Sequence, residues 1–537
     1  MNKKTKIKVI IGAILIILSV TACVYSYLQL ASREKSADVD LFSLVPENSV
    51  AILETDNVSE LMESIGQVSF AQQYDSLHIS DLLSFLKNNI GLLKANTAHG
   101  LSSQMNQMLI SFHSPGDPKD QVLYGKLASG DEALVENLIK KNYTSEFPAK
   151  TFEFEGEKIQ IYPLGKDEFL ACYFKPGFYA VSFQKKLIEE VIHAHKHKQS
   201  ILNDAIFTQF LKDEKSYSSA SLYIKAGNIP IGNDPQKNYK TFHLSRWTAF
   251  KINMKGNALY LTGNCIDTDT CNSFENILKS QKPIEIFPSR FLPESTSFFY
   301  QLAISDFKRS FSGPDCKKEK MTQKCRTLAK NDSSFYNYLT DNAGDELRFI
   351  IFHDDRDPES IRKVMNIKMK DQSIAAEKLH TILEKSGSGN KRRPVKNVRI
   401  GEQSFEIFQL PGNTVFSRYS SNPNYTSDTF GCFYNGNLLV SPSDSCIHSY
   451  IRQIETGKTL EGDLLYEKCI LTLSSESNYL SVADMEDAVL HPDVYGQLMP
   501  NFFIKYKDFF KHFYLTLQFT CVNGNTYPYF VLMYKGA

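Results

Sequence analysis

The sequence has a single tryptophan in 537 residues and no excess charge of either sign, with 60 basic side chains against 60 acidic ones. A balanced charge excludes a general nucleic-acid binder, which would carry a basic surplus. Low-complexity tracts and sustained heptads are also missing. Hydrophobic residues at 42% and charged residues at 22% fit an ordinary globular body, so wholesale disorder and fibrous architectures are excluded. The usual catalytic signatures are absent too: no Walker loop, no Gly-x-Gly-x-x-Gly, no Gly-x-Ser-x-Gly, no His-Glu-x-x-His and no Cys-x-x-Cys. Ser182 with Lys185, and Ser305 with Lys308, satisfy Ser-x-x-Lys, but no Ser-Asp-Asn or Lys-Thr-Gly accompanies them. The pattern implies no catalytic residue and no cofactor.

A long apolar run occurs once. Lys3, Lys4, Lys6 and Lys8 precede Val9–Leu30, which as a helix would extend roughly 33 Å, enough for a hydrocarbon core of about 30 Å. The positive-inside rule then puts the N-terminus in the cytoplasm and the body outside it. Residues 1–35 therefore read as an N-terminal signal anchor. Val20-Thr21-Ala22-Cys23 allows a second reading, a lipoprotein signal with lipid on Cys23.

The body reads as a duplication. Val45-Pro46-Glu47-Asn48-Ser49 and Leu292-Pro293-Glu294-Ser295-Thr296 each open a strand. Ile110–His113 with Asp117-Pro118 matches Ile351–His353 with Asp357-Pro358. Gly156-Glu157 matches Gly401-Glu402, Cys172-Tyr173-Phe174 matches Cys432-Phe433-Tyr434, and Gly256-Asn257 matches Gly524-Asn525. These landmarks keep their order, which predicts two repeats, 41–270 and 291–537. Within the first, strands are expected at Ser49–Thr55, Leu109–His113 and Val122–Leu127, then four more through Ser182. Helices are expected at Ser80–Asn89, Asp131–Lys140 and Lys185–His195, and a meander closes the repeat near Asn264. Hairpin-linked strands outnumber helices, so the expected class is α+β: two similar halves of mostly antiparallel sheet with packed helices, after one N-terminal apolar helix.

Several side-chain groups could carry chemistry. Glu189, His193 and His197 are four apart and share a helix face, a spacing that can ligate a divalent metal. The plainer reading is a solvated helix end where His and Lys complement the dipole. His113 and His353 end strands before Asp117 and before Asp354, Asp355 and Asp357, so each could form an acid/base pair or, more simply, cap a hairpin. Asp267-Thr268-Asp269 starts like a calcium loop but lacks the required glycine and the final Glu. Lys391-Arg392-Arg393, with Lys396 and Arg399, reads as a solvated loop or as a contact for anionic lipid or polymer. The aromatics from Phe502 to Tyr514 are too dense for one core stripe, so some would pack the halves together and the rest would offer a partner surface.

The opening Pro46-Glu47-Asn48-Ser49-Val50-Ala51-Ile52-Leu53-Glu54, behind an anchor-like N-terminus and before a long Phe/Tyr-rich duplicated body, resembles a bacterial domain-of-unknown-function family. Its members are membrane-tethered envelope proteins without assigned activity. The resemblance implies a periplasmic body held by its N-terminus and supplies no catalytic residues. The function expected is non-enzymatic binding or scaffolding of an envelope protein or polymer. The alternatives are a ligand-binding or sensing ectodomain with its site between the halves, and an unrecognised hydrolase.

Ten cysteines include Cys23, and the odd remainder leaves at least one unpaired within a monomer. An extracytoplasmic body permits disulfides. Cys316 and Cys325 bracket an insertion without counterpart in the first repeat and are expected to pair, with Cys265 and Cys271 as a second pair. A loop this short would stabilise by roughly 2.5–3 kcal/mol in the chain-entropy model. Non-reducing peptide mapping of protein from its native envelope should show the Cys316–Cys325 link; two free thiols there would contradict it.

Overall fold

The structure, a computed structural model, describes residues 39–68, 106–114, 117–127, 148–165, 168–213, 220–225, 247–266, 274–308, 334–386, 395–410, 429–496 and 498–536, with a few single positions between. The segment 1–35 with Cys23, the helix expected at Ser80–Asn89, Asp267–Asp269, Cys271, Cys316, Cys325 and Lys391–Arg393 lie outside the described residues. Among the described residues no helix is long and apolar enough to cross a membrane, and no two cysteines are joined. The class is α+β, with extensive antiparallel sheet. Contacts divide the chain into two compact units, 1–63 with 77–220, and 64–76 with 221–537. This packing division at Ala220/Ser221 does not coincide with the repeat boundary expected near 270–291.

In the first unit a 3-10 turn, Leu41–Leu44, is capped by Asp40. It leads to β1 (Ala51–Thr55) and helix α1 (Val58–Gln67), whose residues from Ser64 onward group with the second unit, followed by β2 (Met108–Phe112) and β3 (Gln121–Lys126). Next come β4 (Lys150–Phe154), β5 (Glu157–Gly165), β6 (Glu168–Lys175) and β7 (Phe178–Ser182), then α2 (Lys185–His197) and α3 (Ala205–Asp213). Two meanders, β1-β2-β3 and β4-β5-β6-β7, join where β7 pairs with β3, so the antiparallel order is β4-β5-β6-β7-β3-β2-β1. Strand β7 is buried along its whole length, as a strand covered on both faces requires. Helix α2 covers β6 and β7 with Leu187, Ile188, Val191, Ile192 and Ala194. Burying such aliphatic side chains is worth about 1.5–3 kcal/mol each.

The second unit begins with the meander β8 (Ser221–Ile224), β9 (Trp247–Lys255) and β10 (Ala258–Ile266). Helix α4 (Phe274–Lys279) and β11 (Ile284–Glu285) precede β12 (Thr296–Ala303), β13 (Ala343–His353), β14 (Ile361–Met369) and α5 (Gln372–Ser386). Then follow β15 (Val395–Ile400), β16 (Gln403–Leu410), β17 (Thr429–Tyr434), β18 (Asn437–Ser441), α6 (Asp444–Glu455) and α7 (Leu464–Leu471). Strands β19 (Glu476–Ser477) and β20 (Tyr479–Asp484), helix α8 (Met485–Leu490), β21 (Phe513–Val522) and β22 (Asn525–Tyr534) complete it. Strand β19 pairs with β11. The order β15-β16-β17-β18-β14-β13-β12 continues through β20-β21-β22 to β10-β9-β8. Phe299, Phe352, Ile447, Tyr450 and Ile451 belong to the core between this sheet and α6. Cys265 is buried on β10, its thiol 3.4 Å from Thr248 Oγ1. Of the C-terminal aromatics, Phe510 and Phe513 are buried and Phe502, Phe503, Tyr506, Phe509 and Tyr514 are half-buried.

One glycine in this sheet is fixed by close approach. Gly431 faces Phe408 across the β16–β17 ladder, and an added Cβ would lie 2.6 Å from the Phe408 ring. Gly431→Ala should therefore destabilise the second unit by about 1–3 kcal/mol through overpacking. Gly66→Ala, at an exposed position of α1 with open space around it, should instead stabilise by about 0.5–1 kcal/mol. Denaturant unfolding followed by fluorescence of Trp247, fully buried on β9, checks the first; circular dichroism checks the second.

Candidate functional site

The first unit carries an open groove of about 410 Å³ beside the exposed face of α2. Glu47, Asn48, Lys186, Glu189, Glu190 and His193 are among the residues that line it. Helical periodicity explains this face: Leu187, Ile188, Val191 and Ile192 turn to the sheet, leaving Lys186, Glu189, Glu190 and His193 outward. The lining holds three carboxylates, Glu47, Glu189 and Glu190, against one lysine, Lys186, so its charged groups sum to net negative and favour a ligand with positive charge or hydrogen-bond donors.

A chain of polar contacts runs from its floor into the core. Asn48 Nδ2 donates to Glu190 Oε2 at 2.9 Å, and Asn48 Oδ1 lies 3.0 Å from His113 Nδ1. His113 Nε2 is 2.9 Å from Ser111 Oγ, which is 3.1 Å from the Tyr124 hydroxyl. Ser111 and Tyr124 are fully buried. Burial lowers the His113 pKa against the pull of Asp120 and Glu190, and burial raises that of Tyr124. Asp117, expected beside His113, instead accepts from the Lys119 backbone N–H. The array can hold and orient a proton, but its only serine hydroxyl is out of reach of the groove.

At the C-terminal end of α2 a carboxylate other than Glu189 meets the two imidazoles. Glu189 pairs with Lys185 at 2.6 Å, on its own helix. The carboxylate that meets the two imidazoles belongs to Glu155, at the tip of the β4–β5 hairpin. Its Oε1 is 2.9 Å from His193 Nδ1 and its Oε2 is 3.2 Å from His197 Nε2. Glu155 and Gly156 have φ of 48° and 77°, the paired left-handed conformation of a two-residue hairpin turn. Lys196 Nζ donates to the Glu155 carbonyl, clasping the turn to the helix. The His193 hydrogen bond, followed by burial in opposition and the His197 bond, leaves Glu155 below the usual carboxylate range.

In the second unit His353 turns away from the aspartates that follow it. Its Nε2 lies 2.7 Å from Asp487 Oδ2, and its Nδ1 faces the Pro358 carbonyl. Asp354 and Asp355 are held by cations: Arg452 contacts both, Arg362 lies 3.1 Å from Asp354, and Lys458 lies 2.9 Å from Asp355. Burial pushes both carboxyls up, yet hydrogen bonds and these cations hold them below the ordinary range. Ser182 donates to the Gln121 carbonyl at 2.7 Å and accepts from Gln184 N–H, a structural role. Lys396 pairs with Asp444 at 2.7 Å, while Arg399 is exposed.

No family model matches the sequence, and no curated protein does. Two solved structures of TP0453, crystal forms I and III, are similar to part of the chain at 14% identity. They cover 44% and 47% of this chain and 82% and 90% of their own, with TM-scores of 0.25 and 0.26, too low to carry an argument.

The two strand-end histidines respond to pH in opposite senses. The Asp487 hydrogen bond raises the His353 pKa above 6.5, with burial opposing. Its contribution to stability is complete below pH 6.5 and is lost as pH rises through the folded-state value. Burial lowers His113 below 6.5, so the unfolded chain takes up the proton first and stability falls as pH drops below 6.5. Ring-nitrogen NMR titration should give His353 the higher midpoint and His113 the lower. The reverse order would contradict these partner assignments.

Proposed function

We propose that this chain is a membrane-tethered bacterial envelope protein, with a duplicated α+β body outside the cytoplasmic membrane that binds or scaffolds other envelope components without catalysis. The observation that carries the reading is the open groove of the first unit with its carboxylates Glu47, Glu189 and Glu190, the last already fixed by a hydrogen bond from Asn48 Nδ2. Pre-oriented acceptors suit reversible binding of a donor-rich or basic segment of an envelope protein or polymer.

The duplication is supported by order and by small contacts. The series β4-β5-β6-β7-β3-β2-β1 and β15-β16-β17-β18-β14-β13-β12 run alike, as do β8-β9-β10 and β20-β21-β22. Pro46 bridges to Ser200 as Pro293 does to Thr459. Ile201 N–H donates to Val45 O as Leu460 N–H donates to Leu292 O. On this reading the repeats are 41–270 and 291–537, and residues 1–35 are the tether, an apolar helix or a lipoprotein signal ending at Cys23.

Fractionation and cross-linking together test the proposal. Intact protein should sediment with membranes, and deletion of residues 1–35 should release a soluble body. Cross-linked partners recovered from the native envelope should be lost on Glu47→Lys/Glu189→Lys with folding retained. A full set of partners on the double variant, or intact protein free of membranes, would overturn it.

A further inference from the structure

We propose that Glu155, His193 and His197 bind one divalent first-row transition ion of the zinc class, with an open coordination position at the edge of the groove. The site adjoins the groove through His193, and the inference does not depend on the tether or on the duplication.

The geometry begins with spacing. His193 and His197 are one helical turn apart in the last turn of α2, and their ring centroids are 4.4 Å apart. Helical spacing alone would leave two solvated imidazoles. Here the β4–β5 hairpin brings a carboxylate over both rings, and one ligand atom from each of the three residues lies within 4.8 Å of the others. Ligand atoms sharing a tetrahedral ion, each at about 2.0–2.2 Å from it, stand about 3.4 Å apart. The observed 2.9 and 3.2 Å separations, one to each Glu155 oxygen, need to open by a few tenths of an ångström, and the two imidazole nitrogens, within 4.8 Å of each other, complete the set at that spacing.

The ligand types then select the ion. Two imidazoles with one carboxylate suit zinc and its neighbours, whereas calcium and magnesium require oxygen shells. Three protein ligands leave a fourth position for water or for a group of a bound partner. His193 also lines the groove, so that position adjoins the surface where a partner would lie.

The outer contacts already orient the set. His193 Nε2 lies 3.2 Å from Gln199 Oε1; as a donor there it directs the Nδ1 lone pair to the ion, the usual outer-shell arrangement of a metal-bound histidine. The Lys196 clasp on the Glu155 carbonyl fixes the hairpin tip without occupying the carboxylate. In the ion-free protein the His193 Nδ1–H donates to Glu155, and metal binding would exchange that proton for the ion.

Zinc chloride titrated calorimetrically into chelator-stripped full-length protein in detergent tests the site, with cobalt chloride as a spectroscopic probe. The expected result is one ion whose cobalt absorption is typical of four- or five-coordinate imidazole ligation, with no competition from excess magnesium or calcium. His193→Ala, His197→Ala and Glu155→Ala should each abolish that binding step, and Gln199→Ala should weaken it about tenfold. Glu189→Ala should bind as the parent does. All these side chains are at the surface, and unchanged metal-free melting confirms that the variants fold. Equal binding by the His193 and His197 variants, loss of binding on Glu189→Ala, or displacement by magnesium would each overturn the proposal.

Discussion

Each unit depends on one strand junction. In the first, β7 must find β3 across the chain for the meanders β1-β2-β3 and β4-β5-β6-β7 to become one sheet. Both strands are almost wholly buried, so a one-residue slip would exchange the side chains packed on their two covered faces. The fully buried Ser182 hydroxyl donates across the junction to Gln121 O at 2.7 Å. In the second unit β14 meets β18, and the equally buried Ser441 hydroxyl donates to Lys363 O, also at 2.7 Å. Such a bond contributes about 1 kcal/mol net, but leaving either polar atom buried without a partner costs more. The penalty for a wrong register is thus larger than the reward for the right one.

The junction also positions what lies above it. Ser182 Oγ also accepts from the N–H of Gln184, the residue that precedes helix α2, so the serine that bridges the strands holds the entry to the helix. From that fixed start, α2 carries Glu190 to Asn48 at its middle, and His193 and His197 to the β4–β5 hairpin at its end. Helix α6 follows the second junction and is entered through Ser443. Its outer turns carry Arg452, which is drawn inward and neutralised by Asp354 and Asp355. Breaking one member of such a buried set would strand the others, a cost of about 3–5 kcal/mol. Helix α2 thus carries an open polar face in the first unit, and helix α6 a closed ionic knot in the second.

Much of the architecture was legible from local pattern. The strands through Ser182 and the helix from Lys185 follow the alternation and the 187, 188, 191, 192 spacing, and Gly156, Gly401 and Gly524 mark real turns at φ of 77°, 60° and 80°. What sequence spacing could not supply were partners brought in by register. Glu189 has the right interval from His193 but is taken by Lys185, whereas Glu155 arrives from 38 residues away. The carboxylate on His353 comes from Asp487, 134 residues distant, and the neighbouring aspartates go to arginines. Asn48 was visible only as part of the strand-opening motif; its contact with His113 spans 65 residues. Packing likewise assigns β8, β9 and β10 to the second unit, a grouping no local landmark encodes.

The central claim is that the β3–β7 and β14–β18 junctions hold their units together. Native-state amide hydrogen exchange measures this directly, because local opening free energies rank the strands within each unit. The account predicts that amides of Leu123, Gly125, Tyr179 and Val181, and of Ile367 and Val440, exchange among the slowest in their units, near the global unfolding limit. If they exchange as fast as the exposed β4–β5 hairpin, the junctions are not what the fold depends on.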